Sequence, residues 1–70
     1  MNSHPGLFAP QTIETCIHKF EGEFPNTQVK HEVKDGILFM STELDNTRYT
    51  HQGIIEGRMV IKVIKFVTRF

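Results

Sequence analysis

Seventy residues, 39% hydrophobic and 23% charged, are enough for one small folded domain and place the chain outside the disordered class. Eight Lys and Arg balance eight Asp and Glu, and a lone cysteine rules out an internal disulfide. No apolar run nears the length of a membrane-spanning helix, and Met1 to Pro10 lacks the basic and apolar regions of a secretory signal, so the expected compartment is the cytoplasm.

The charge is unevenly placed. Every acid lies between Glu14 and Glu56, whereas residues 58–70 carry Arg58, Lys62, Lys65 and Arg69 and no acid. A domain this small buries little surface on folding, so association with a second chain is expected to add to its stability.

Residues 1–7 read as a lead-in. Ile13, Cys16, Ile17 and Phe20 then recur at i, i+3, i+4, i+7, the stripe of one helical face. Pro10 suits a first helical position, Phe8 can staple against Ile13, and Gly22 sits where a glycine ends a helix. His18 and Lys19 fall in the expected last turn, where positive charge meets the negative end of the helix dipole. The predicted helix spans 10–21.

After Phe24-Pro25-Asn26 the period changes to two. Thr27, Val29, His31 and Val33 alternate with polar residues up to Asp35-Gly36, a strong signal for a tight hairpin. Three two-residue loops, Asp35-Gly36, Asp45-Asn46 and Glu56-Gly57, then define strands near 27–34, 37–44, 47–55 and 58–69. The first loop sets Val33 opposite Leu38 and His31 opposite Met40, with Val29 opposite Thr42. The second sets Glu43 opposite Arg48, Thr42 opposite Tyr49 and Met40 opposite His51. The third sets Ile54 opposite Met59 and Tyr49 opposite Ile64. The predicted fold is α+β: one N-terminal helix on a four-stranded antiparallel meander, a single domain over 1–70.

That register puts Val29, Val33, Leu38, Leu44, Tyr49, Ile55, Val60, Ile64 and Phe66 on one face with His31, Met40, His51 and Lys62. The other face carries Ile37, Phe39, Ile54, Met59, Ile61 and Val63, with Lys30, Glu32, Glu43, Arg48 and Lys65. One short helix covers one face, and soluble monomers seldom leave large apolar patches open. The expectation is therefore a non-enzymatic protein-binding accessory protein, an inhibitor or adaptor acting as a homodimer, with Ile37, Phe39, Ile54, Met59, Ile61 and Val63 at the contact. The competing explanation is that Leu7, Phe8 or Phe70 folds back over the patch. The strand also ends in 67–70 without a ladder partner, a further invitation to another chain.

Chemistry finds little support. His31 and His51 flank Met40 about 9–10 Å apart across two strand spacings, too far to share zinc, and no cysteine or carboxylate lies alongside. Glu14 and His18 make an ordinary i, i+4 pair on a solvated helix face, and Cys16 on the apolar stripe reads as a small buried hydrophobe. The five glycines are scattered and form no phosphate loop; Gly53 marks a bulge or a close approach of side chains. No cofactor, metal, membrane or small-molecule substrate is implied. Nucleic acid is the serious rival partner, through Arg48, Arg58, Lys62, Lys65 and Arg69 with the sheet aromatics, although a neutral chain with its cations divided between faces offers phosphates little.

Overall fold

Thr12 starts the helix. Its backbone is extended (φ −70°, ψ 161°) and its hydroxyl oxygen accepts from the Thr15 amide at 3.1 Å, as an N-cap side chain should. The computed structural model, which describes residues 9–70, has strand β1 at Gln11–Thr12 and helix α1 at Ile13–Glu23. The hairpin strands are β2 (Lys30–Lys34), β3 (Ile37–Leu44), β4 (Thr47–Glu56) and β5 (Met59–Arg69). The fold is α+β, one helix on an antiparallel sheet of five strands, not four, in the order β1-β5-β4-β3-β2.

The fifth strand is the segment read as the helix start. Gln11 and Thr12 pair with Val60 and Met59, so Pro10 precedes a strand rather than opening the helix. At the other end the helix runs through Gly22 and stops at Phe24, whose amide donates to the carbonyls of Phe20 and Glu21. The last turn therefore holds no cation: His18 and Lys19 lie farther back, and Glu21 and Glu23 take their place. The expected Phe8 staple and the lead-in lie outside the described residues.

Two hairpins match the expected register. Asp35 and Gly36 (φ 53° and 75°) and Asp45 and Asn46 (φ 54° and 59°) take the left-handed conformations of type I′ loops. Val33 faces Leu38, His31 faces Met40, Thr42 faces Tyr49 and Glu43 faces Arg48. The first strand is shorter than expected, because residues 27–29 leave the ladder; the Thr42 hydroxyl donates instead to the Gln28 carbonyl at 3.1 Å.

The third hairpin differs. Its loop is Gly57-Arg58, closed by Glu56 opposite Met59. Only Gly57 has positive φ (64°), as a II′ loop requires, whereas a I′ loop at Glu56-Gly57 would force a long side chain into the left-handed region. An extra residue then enters β5: Ile55 faces Val60, but Ile54 faces Lys62, leaving Ile61 as a bulge. Tyr49 consequently faces Val67, three positions beyond the expected Ile64 (67 − 64), and Thr47 pairs with Arg69. An odd shift exchanges the faces. Val63 and Lys65 turn toward the helix, and Lys62, Ile64 and Phe66 turn away. Residues 67–69 are fully laddered rather than unpaired.

The core lies between α1 and the sheet. Cys16 and Phe20 meet Leu38, Met40 and Val60, with Ile13, Ile17, Phe24, Val29, Ile55 and Val63 around them. Gly53 makes room for this packing: a Cβ there would sit 3.0 Å from Val60 Cγ1 and 3.5 Å from Leu38 Cβ, and both neighbours are wholly buried. Gly53→Ala should therefore cost about 1 kcal/mol, since overpacking outweighs the backbone-entropy gain of removing a glycine. Urea denaturation should show the cost vanishing when Val60→Ala opens the space; an equal cost in both backgrounds would disprove the packing origin.

Candidate interaction surface

Alternation along the ladders arranges the face opposite the helix in rows. Lys34, Ile37, Ile54 and Lys62 form one, Glu32, Phe39, Gln52 and Ile64 the next, and Lys30, Ser41, Thr50 and Phe66 the third. Glu43, Arg48 and Thr68 close the series. Ile37, Phe39, Ile54, Ile64 and Phe66 thus make an apolar band on β3, β4 and β5 with charged ends. α1 packs on the opposite face, and here Phe66 is exposed while Ile37, Phe39, Ile54 and Ile64 are half-buried.

The sheet curls on this side. Over β2, β3 and β4 it forms a groove of about 570 Å³ floored by Phe39, Ser41 and Thr50 and walled by Lys30, Glu32, Glu43 and Arg48. Arg48 is already engaged, donating to Glu43 Oε2 from Nη2 at 3.0 Å and from Nε at 3.3 Å, and its Cζ lies 5.0 Å from the Phe70 ring centre. Exposed ion pairs of this kind add little stability, but this one leaves less charge free at the groove wall. On β5 this face carries Phe66, which is 45% exposed.

The expected contact residues are only partly gathered. Ile37, Phe39 and Ile54 share the open face, and Met59, next to the inward Val60, lies near the β1 end. Ile61 is the bulge residue and is exposed. Val63 is not on this face; it packs against the core beneath α1. Ile64 and Phe66, which the expected register put on the face of Leu38 and Val60, replace it, and only the bulge could have announced the exchange.

The basic residues are divided between faces as expected, but Lys62 and Lys65 have exchanged sides while Arg48 keeps its own. Lys62 and Arg48 belong to the open face, Lys65 lines a cleft on the helix side, Arg58 sits in the turn, and Arg69 ends β5 opposite Thr47. No single patch of cations results. That cleft, about 170 Å³, runs between α1 and β5 past Cys16, Lys19, Glu23, His51 and Gln11, whose buried Oε1 has no hydrogen-bond partner. Burial pushes the Cys16 thiol up from its ordinary pKa, against a smaller opposing pull from Lys19, so the thiolate is disfavoured there. Among the described residues no three His, Cys, Asp or Glu side chains gather as a metal site would need, and no helix is long and apolar enough to cross a membrane.

No protein-family model matches this chain, and no curated protein or solved structure matches it.

His51 is the one titratable core residue of the sheet. Its ring meets Phe20 edge-on at 4.7 Å, and it is 9% exposed. Burial lowers its pKa below the ordinary 6.5, Lys65 adds to the shift and Glu23 opposes it. The folded chain thus holds this proton less tightly than the unfolded chain, so stability is full above pH 6.5 and falls as pH drops below it. Melting temperatures between about pH 5 and 8 should show His51→Gln flattening that decline; parallel profiles for variant and parent would sink the assignment.

Proposed function

We propose that the protein works by binding, as a small accessory protein of the inhibitor or adaptor kind, and that it associates with a second copy of itself through the open face of its sheet. One observation supports this above others: the apolar band of Ile37, Phe39, Ile54, Ile64 and Phe66 lies on the side that α1 does not cover. A chain with so small a core gains from burying it.

The second copy fits by shape and by charge. A two-fold interface is self-complementary, so the exposed Phe66 of each copy enters the partner's groove over Phe39. Lys62 lies on the same strand as Phe66, and Glu32 lines the groove, where Glu43 is already paired with Arg48. Four strands about 4.8 Å apart and eight residues long offer roughly 500 Å² a side. Two such sides reach only the lower limit of a specific interface, so the dimer is weak, with a dissociation constant on the order of micromolar.

Nucleic acid is the weaker reading. Arg48 is bound to Glu43, and Lys62 and Lys65 lie on opposite faces, so no groove collects the several cations that phosphate binding needs.

Sedimentation of the chain alone should pass from monomer to dimer across roughly micromolar concentrations, and Phe39→Asp should leave a folded monomer. A strict monomer at about 1 mM would remove the proposal.

A further inference from the structure

The open edge of β5 carries an inference distinct from its face. Among the described residues β1 covers this strand only at Met59 and Val60, so Ile61 to Arg69 has a neighbour on the β4 side alone. The Phe70 amide donates to the Asn46 carbonyl at 3.0 Å, which fixes the alternation: the even positions Lys62, Ile64, Phe66 and Thr68 bond to β4. The backbone amides and carbonyls of Val63, Lys65, Val67 and Arg69 therefore point outward. Four residues whose donors and acceptors have no partner among the described residues make a template for another strand.

Side-chain chemistry says what kind of strand. Val63, Lys65, Val67 and Arg69 turn to the helix side of the edge, and Ile64, Phe66 and Thr68 to the open side. Val67 is 59% exposed and Phe66 45%, so apolar surface waits on both sides of the ladder. No acid occurs anywhere in 57–70. Lys19 of α1 stands with Lys65 around the cleft beside the edge, where the two cations outnumber the one carboxylate of the lining, Glu23. A second β5 would set this basic strand against itself, and β2, with the sequence Lys-His-Glu-Val-Lys, is no better matched.

We propose that the outer edge of β5 takes up an extended acidic peptide segment of a partner protein as a further strand of the sheet. The fitting segment has carboxylates four residues apart, one opposite Lys65 and one opposite Arg69, with apolar residues between them against Phe66 and Val67. Main-chain hydrogen bonds to the outward amides hold it, and the two cross-strand ion pairs select it. This names a partner class for the protein-binding reading; it shares Phe66 with the open face but neither Phe39 nor the groove, so Phe39→Asp separates the failure of one from the failure of the other.

The test uses the full chain and two nine-residue peptides of valine and threonine, one with glutamates four positions apart, the other with lysines there. The glutamate peptide should bind about tenfold or more tighter, and amide exchange should slow at Val63, Lys65, Val67 and Arg69 while Ile64, Phe66 and Thr68 stay as they were. Lys65→Glu with Arg69→Glu, both at exposed positions, should reverse the preference. Val67→Pro deletes an outward donor without touching the β4 ladder, and should abolish binding of either peptide. Phe39→Asp should bind the glutamate peptide as the parent does, even where self-association is lost. Equal binding of the two peptides would overturn the proposal. So would outward amides already protected in the dilute chain without peptide, or an oligothymidylate binding more tightly than the glutamate peptide.

Discussion

One inserted residue, Ile61, decides what each side of this sheet is made of. Strand side chains alternate with a period of two, but residues 60–65 read Val-Ile-Lys-Val-Ile-Lys, a period of three. Without the insertion Lys62 would follow Val60 to the helix side and lie opposite Gly53, against Leu38, where no acid is at hand to offset the burial of its ammonium group. The bulge lets Val60 and Val63 both face α1 and sends Lys62 to solvent. Gly53 is the matching half of the device. Lacking a side chain, it leaves the space that the Val60 methyls fill.

The same insertion explains why the open face is as apolar as it is. Shifting β5 by one position moves Ile64 and Phe66 out from under the helix and sets them beside Phe39 and Thr50 through β4. An eleven-residue helix is about 16 Å long and shelters little more than Leu38, Met40 and Val60. Among the described residues the hydrophobic supply thus exceeds what α1 covers, and it is concentrated rather than scattered. Concentration is the informative part, because single exposed apolar residues are ordinary.

Most of the fold was legible where local chemistry is strict. The stripe of Ile13, Cys16, Ile17 and Phe20 marked the helix. Asp35-Gly36 and Asp45-Asn46 fixed two registers to the residue, because Asp, Asn and Gly tolerate the left-handed conformations that the loops require. Glu56-Gly57-Arg58 was ambiguous, since one glycine can serve as either loop position, and a bulge leaves no composition signal beyond Gly53. β1 was invisible for another reason: two residues carry no periodicity, and only the tertiary partner at Met59 and Val60 makes them a strand. Of the expected contact set, Ile37, Phe39 and Ile54 precede the bulge along the chain and share the open face as expected. Val63 follows it and does not. The different placement of Val63 is the register shift, carried forward.

Face and edge are separate resources because hydrogen bonds and side chains leave a strand at right angles. Packing against Phe39 and Phe66 uses nothing of the outward amides of Val63, Lys65, Val67 and Arg69, and pairing with those amides covers none of the groove. The lysines also act differently on the two. At the edge, Lys65 guards against pairing with a like strand, which is how natural sheets keep open edges from aggregating, and the same charge favours an acidic one. On the face, Lys62 lies at the rim of an apolar band, where charge sets orientation more than strength. The cations of this basic strand are spread over an edge and two faces, a distribution poorly suited to gripping a phosphate backbone.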